Sequence, residues 1–330
     1  MGQSRYFENP ITISSVSSIV GKKEGDGPLG KLFDIIEPDS MLEQKSWEQA
    51  EALFLKNAFK HVLEKGGLQE NQLDYAIAGD LMNQSTSCSF GLRDTSIPFY
   101  GIFGACSAFG EGLGLASMIL GGGFAKRVIV GASSHFCTAE KQFRFPLELG
   151  SQRPQTSTWT VTGAGAAILE AGGGGPFVRS ITPGRIIDMG IRDMNNMGAA
   201  MAPAAADTIA SHFKDLNLQP NHYDIVATGD LGHVGSKLLI SLLKEQDLDI
   251  SANHTDCGIQ IFDPNTQDTH SGGSGCACSA VTFAALFYPK LKNKELRRIL
   301  FIPTGALANQ LTILQGETIP SIAHAVGMEA

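Results

Sequence analysis

The chain echoes itself. The run Leu68-Gln69…Asn71…Asp74-Tyr75-Ala76-Ile77-Ala78-Gly79-Asp80-Leu81 returns as Leu218-Gln219…Asn221…Asp224-Ile225-Val226-Ala227-Thr228-Gly229-Asp230-Leu231, at a constant offset of 150 residues (230 − 80). Each copy follows an amphipathic helical pattern, Trp47 to Lys65 before the first and Pro203 to Leu216 before the second, where Pro203 suits a first helical turn. A second echo pairs Ala105-Cys106-Ser107-Ala108 with Ala277-Cys278-Ser279-Ala280, at an offset of 172 (278 − 106). Each member precedes an apolar helix that leads into a buried strand, from Arg127 or from Arg298. Two echoes in one order, with helices and strands in step, predict a duplicated α/β chain with mainly parallel sheets. The Gly172-Gly173-Gly174-Gly175-Pro176 run is the best linker, and it divides an N-terminal half, 1–171, from a C-terminal half, 176–330. If the halves pack about a pseudo-twofold axis, equivalent loops meet beside it.

Composition supports this and excludes other classes. The 330 residues, 43% hydrophobic, are enough for two fused halves of ordinary domain size. Only 18% are charged and the net charge is −8, which is no footprint for nucleic acid. No apolar run approaches the roughly 18 residues that span a bilayer. The opening Met1-Gly2-Gln3-Ser4-Arg5-Tyr6 lacks the apolar core of a secretory signal, and Tyr6 stands where myristoylation requires Ser or Thr. Six cysteines in a chain of this length do not make a disulfide scaffold. A soluble protein of a reducing compartment is expected.

The chemistry concentrates at Phe103-Gly104-Ala105-Cys106-Ser107, a small-residue turn ahead of a helix from Ser107 to Leu120 that Gly121-Gly122-Gly123 ends. A thiol there meets free backbone N–H groups and the positive end of the helix dipole, which favour a thiolate or a neighbouring anion. The same cysteine also reads as a buried small hydrophobe. Asp80 and Asp230 take the same loop position in the two copies, directly after a buried strand, where α/β sheets bind ligands; each also reads as a turn cap. Cys276 and Cys278 lack a second pair for a metal site and read as helix-start packing, while the glycines before them, with Ser274 and Gly275, offer backbone donors. His135, His233 and His270 are candidate bases for Cys106 or plain polar loop residues, and Arg144 and Arg93 are candidate carboxylate binders or surface charges.

The Gly-Ala-Cys-Ser turn and Thr162-Gly163-Ala164-Gly165-Ala166-Ala167 resemble the thiolase superfamily, the latter segment its β-ketoacyl synthase III branch. Closer still is the resemblance to the stage V sporulation AD family of spore-forming bacteria. It is carried by Glu24-Gly25-Asp26-Gly27-Pro28-Leu29-Gly30, Ala78 to Gln84, Gly122 to Arg127, Met201 to Ile209 and Gly272 to Ala280. It implies a thiolase-like fold in five layers, α-β-α-β-α, the halves related by a pseudo-twofold. It also implies binding of dipicolinic acid (pyridine-2,6-dicarboxylate) or its calcium chelate, without catalysis, for uptake into the developing spore and its later germination. The expected partners are other products of the stage V A operon at the forespore membrane, and the expected assembly is a homodimer.

Against the condensing enzymes of the superfamily, two partners are missing. A catalytic His within His-Gln-Ala-Asn is replaced by Gly229-Asp230-Leu231-Gly232, with His233 close behind, and an Asn within Gly-Asn-Thr-Ser by Ser271-Gly272-Gly273-Ser274. Decarboxylative condensation needs both to stabilise its oxyanion. The expected ligand site is therefore Cys106, Asp80, His135, Asp230, His233, Gly232, Ser274, Gly275 and Arg144, with Ca²⁺ as the ligand's companion on Asp80 or Asp230. No resident cofactor is expected. The alternative is an acyl-transferring enzyme with Cys106 as nucleophile and His233 or His135 as base.

Overall fold

A computed structural model gives the fold, describing residues 2–143 and 153–330. The first half runs β1 (Arg5–Gly21), α1 (Trp47–Gly66), β2 (Tyr75–Gly79), α2 (Thr86–Leu92), β3 (Phe99–Ile102), α3 (Ala108–Gly121), β4 (Arg127–Ser134), α4 (Phe136–Phe143), β5 (Trp159–Thr160) and β6 (Gly163–Ala171). The second runs β7 (Phe177–Thr182), α5 (Met197–Asp215), β8 (Ile225–Thr228), α6 (Gly232–Lys244), β9 (His254–Asp256), β10 (Gly273–Ser274), α7 (Cys276–Thr282), β11 (Arg298–Ile302) and β12 (Ala325–Glu329).

Ten of these strands form one sheet in the order β9-β8-β11-β12-β7-β1-β6-β4-β2-β3. Read outward from the β1/β7 seam, the order is the same on both sides: β1-β6-β4-β2-β3 and β7-β12-β11-β8-β9. The expectation of mainly parallel sheets needs correction. The three outer strands of each half are parallel, whereas the pairs β4/β6, β6/β1, β1/β7, β7/β12 and β12/β11 are antiparallel. The glycine run 172–175 connects β6 to β7, which flank β1 on either side, and Ile13 N–H donates to Pro176 C=O at 2.8 Å. It is a short crossing past the end of β1, between the two strands that flank it.

Alternation along the strands sorts the core into layers. Ala76, Ala78, Ile129, Ala166 and Ile168 meet Phe54, Ala58 and Val62 of α1. Their neighbours Ile77, Val128, Val130, Ala167 and Leu169 face the other way, into a central cluster with Phe109 and Leu113 of α3 and Val281 of α7. From the opposite side Ile299, Phe301, Val326 and Met328 close that cluster, while Leu300, Ile302 and Val226 pack on Met201, Ala205 and Ile209 of α5 and Leu239 of α6. The five-layer α-β-α-β-α order is therefore present, with α3 and α7 sandwiched between the two halves of the sheet. Strands covered on both faces carry continuous apolar runs, which is why Arg127 to Ser134 shows no polar alternation. Phe109 lies 5.9 Å from Phe283 and 6.3 Å from Phe301 in this central layer, and each such ring contributes about 2–3 kcal/mol by burial.

Pro203 does not open its helix. Asn196 caps α5, its side chain accepting from Ala199 N–H, so Pro203 sits inside the helix and leaves one carbonyl without its usual N–H donor. Asn196 out-competes it as the start because its amide oxygen satisfies a free N–H group.

Candidate functional site

Cys106 lies between β3 and α3, in a tight turn over Ala105–Ser107 that precedes the helix proper. Ala105 takes a left-handed conformation (φ 48°), a strained choice for a residue with a Cβ. The turn is braced by Ser107 Oγ donating to Gly104 C=O at 2.6 Å, and Gly305 must be glycine because a Cβ there would lie 2.2 Å from the same oxygen. Cys106 is buried, 5% exposed.

Asp230, at the end of β8, closes on Cys106 from the second half. Its Oδ2 accepts from Ser274 Oγ and Gly275 N–H, both at 3.1 Å, and its Oδ1 from Thr304 Oγ1 at 2.7 Å. The Cys106 thiol is the electrostatic neighbour of the same carboxylate. Burial pushes the Asp230 carboxyl up and these donors pull it back. Burial pushes the Cys106 thiol well above its ordinary value, and the Asp230 charge pushes it further.

A second aspartate positions the first. Asp256, capping the helix after β9, accepts from Thr228 Oγ1 (2.6 Å), Leu231 N–H (2.9 Å), Gly232 N–H (3.0 Å) and Ile259 N–H (3.3 Å). Burial above all raises its carboxyl to about 6. The loop is also tied to Ser271, whose C=O accepts from His233 N–H at 2.7 Å and whose Oγ accepts from Val234 N–H at 3.2 Å. Gly232 is left-handed (φ 63°), and a Cβ there would lie 2.2 Å from Ser271 O. The half-buried His233 ring does not line the space beside Cys106.

That space is a small chamber of about 40 Å³ walled by Leu81, Phe103, Cys106, Phe143, Thr160, Met194, Met197 and Ser274 with small alanines. It opens into an outer chamber of about 340 Å³ that shares Phe143, Thr160, Met194, Met197 and Ser274 and adds Glu140, Thr158, Arg192, Asp193, Asn195, Ile313 and Leu314. The β5/β10 ribbon, with Trp159 paired to Gly273 and Thr160 to Ser274, forms one wall.

Other expected residues lie elsewhere. Asp80 does not face Cys106: its oxygens accept from Met82 N–H (2.9 Å) and Cys88 N–H (2.8 Å), and Leu81 takes the place on the chamber wall. Its acidic neighbour is Glu51 of α1, buried and raised to about 8, chiefly by burial and then by Asp80. Thr138 Oγ1 donates to Glu51 at 2.6 Å. With Asp80 and Asp230 in separate networks, each oxygen already turned to N–H or O–H donors, they do not converge on one calcium site. Among the described residues no group of three or more His, Cys, Asp or Glu side chains is placed to hold a metal ion. His135 is buried, its Nε2 3.0 Å from Ser40 C=O, and it lines a separate open cleft of about 870 Å³ beside Lys23 and Trp159. His270 pairs with Asp268 and Pro154 C=O, and Arg93 lies in a shallow groove on α1 and α2. Arg144 lies outside the described residues. Ser274 and Gly275 lie beside Asp230, to which both donate. Sequence reasoning missed Thr304, Asp256, Arg192 and the two methionines, which carry no local motif; for Glu51 a signal existed, since it sits three and four residues before Phe54 and Leu55 on the apolar face of α1.

Comparison with known proteins decides the family. The family model described as stage V sporulation protein AD matches residues 2–329, and the stage V sporulation protein AD of Bacillus subtilis (strain 168) is 45% identical over 327 residues, covering 99% of this chain and 96% of that protein. The chain belongs to the stage V sporulation protein AD family. Among solved structures, 3-oxoacyl-[acyl-carrier-protein] synthase III from Aquifex aeolicus VF5 aligns with a TM-score of 0.59 at 15% identity, over 97% of this chain and 100% of that one. A single-residue variant of Xanthomonas campestris OleA aligns with a TM-score of 0.60 at 11% identity, over 99% of this chain and 100% of that one. This member of the stage V sporulation protein AD family thus has the thiolase-like fold of those condensing enzymes. No helix among its described residues is long and apolar enough to cross a membrane.

Proposed function

We propose that this chain binds dipicolinate, free or as its calcium chelate, without converting it, in support of its uptake into the developing spore. The observation that carries the reading is the carboxylate of Asp230 against the Cys106 thiol. A nucleophilic thiol needs a base that takes its proton and a positive or N–H-rich surrounding for the anion that forms. Here the thiol is buried, its neighbour is a carboxylate, and of the local donors Thr304 Oγ1 is turned to that carboxylate while Ser274 Oγ and Gly275 N–H are shared with it. An anion developing beside the thiol would meet the negative charge of Asp230.

The outer chamber suits a small flat acid. Its volume falls in the range of small-molecule sites, with Phe143, Met194 and Met197 as apolar walls and Thr158, Thr160, Asn195 and Arg192 as polar points. The reading includes work at the forespore membrane beside the other products of the stage V A operon, as a homodimer. Titration calorimetry with dipicolinate, with and without Ca²⁺, tests it: binding in at least one condition is expected, and no heat in either overturns it. The competing reading is acyl transfer, which the thiolase-like fold and the placement of Cys106 favour. Incubation with acyl-coenzyme A followed by intact mass separates the two, because a Cys106 adduct that turns over is an enzyme's signature.

A further inference from the structure

The open cleft of about 870 Å³ beside Lys23 and Trp159 is separate from both chambers near Cys106 and shares none of their lining residues. The partition between them is α4 with β5. Phe136 and Cys137 line the cleft while Ala139 and Phe143 line the outer chamber, and Trp159 and Thr160, successive residues of a strand, divide in the same way.

Trp159 gathers charge in this cleft. Phe136 stacks on its ring, with centroids 3.7 Å apart and planes 6° apart. Two cations also lie over the ring, Lys23 Nζ at 3.9 Å and Arg153 Cζ at 4.6 Å from its centroid. Arg153 has a partner in Asp268, whose C=O accepts from Nη2 at 2.6 Å and whose carboxylate lies 3.7 Å away. Lys23 makes no ion pair with a carboxylate among the described residues. Its Nζ donates to Gln267 C=O at 2.5 Å, and Gln267 Nε2 returns a bond to Lys23 C=O at 2.6 Å, so the lysine is held in place. Burial and then the Arg153 charge pull its ammonium below the ordinary value. The remaining acids are engaged: Asp26 pairs with Lys22 at 2.5 Å, and the buried Glu24 accepts from Thr162 N–H at 2.9 Å. Two like charges held over one ring, one of them without a counter-ion, form an arrangement that an oxyanion completes.

We propose that this cleft is a second binding site, for a small molecule whose phosphoryl or carboxylate oxyanion sits on Lys23 beside Arg153. The volume falls in the range of small-molecule sites, and Pro38 and Phe136 give the body of such a ligand an apolar wall. The site stands apart from the dipicolinate reading.

The test is calorimetry on the full chain at pH 7 and constant ionic strength, with pyrophosphate and succinate as probes to separate a phosphoryl from a carboxylate source. Saturable heat with at least one probe is expected. Lys23→Gln should weaken that binding roughly tenfold or more, as loss of a charge-assisted hydrogen bond does. Lys60→Gln, which removes an exposed lysine 3.8 Å from Glu64 on α1, should leave it unchanged. A second measurement leaves the cleft intact: Trp47→Phe makes Trp159 the one tryptophan of the chain. The bound probe should shift its emission with the calorimetric midpoint, because it changes the charge over the indole. Heat with neither probe, equal affinity of Lys23→Gln and the unaltered chain, or saturable heat with unaltered Trp159 emission overturns the site.

Discussion

A thiol at the head of a helix is ordinarily disposed to ionise, because free N–H groups and the helix dipole favour an anion there. Cys106 is displaced from that outcome by one turn of chain and one carboxylate. Burial is the larger effect and the Asp230 charge the second, and both act against the thiolate. Iodoacetamide at pH 8 is therefore expected to label the half-buried Cys137 well before Cys106, read by peptide mass after timed quenching; Cys106 labelling first contradicts this account. The reverse side of the pair is structural. Asp230→Ala strips three donors of their acceptor inside the core, and each buried unsatisfied group costs about 1–3 kcal/mol. A loss of several kcal/mol in urea unfolding is expected, against a smaller loss for Cys106→Ala, which removes a single thiol.

At the scale of elements, the loop after β8 is over-determined. Asp256 collects donors from Thr228, Leu231, Gly232 and Ile259, Ser271 holds His233 and Val234, and Gly232 supplies the one conformation that a side chain resists. Gly232→Ala should destabilise the chain by roughly 1–3 kcal/mol, through the left-handed conformation and the clash with Ser271, measured as a lower urea midpoint. The element α1 carries a different device. Glu51 is buried on its apolar face beside Asp80, and its carboxyl is raised to about 8 from the ordinary 4.5. A folded-state value above the unfolded one means the folded chain binds the proton more tightly. The resulting stability is full below about pH 4.5 and is lost as pH rises through about 8. Glu51→Gln keeps an acceptor for Thr138 and removes the charge, so it should raise the melting temperature at pH 9 by roughly 2–4 °C or more and leave it little changed at pH 5. The opposite ranking would mean that Glu51 is ionised in the folded chain near neutrality.

For the whole molecule, the decisive fact is that α3 and α7 share one core. Phe109 of the first half packs on Phe283 and Phe301 of the second, and strands of both halves close over them. Residues 1–171 or 176–330 expressed alone would expose that layer together with the unpaired edge of β1 or β7. Neither half is expected to give a cooperative melt or dispersed amide resonances by itself, whereas co-expression should restore both. A half that melts cooperatively on its own would show that the shared layer is dispensable. The duplication itself was legible without coordinates, because the echoes from Leu68 and Leu218 mark β2 and β8, which hold the same rank from the seam.

Local chemistry therefore reached a definite set of features. Helices, buried strands, the cysteine turn and the matched halves follow from periodicity, small-residue turns and repetition, which are properties of neighbours along the chain. The family resemblance also stood on contiguous segments. What lay beyond it was the direction each matched side chain takes. Asp80 and Asp230 are equivalent in sequence, yet one turns to Cys88 and Glu51 and the other to Ser274, Thr304 and Cys106. That difference depends on which backbone donors arrive from distant segments, and so does the gathering of Arg192, Met194 and Thr160 around one chamber. Hydrogen bonds and cavity walls made between segments far apart in the chain leave no periodic trace, and only the packed molecule decides them.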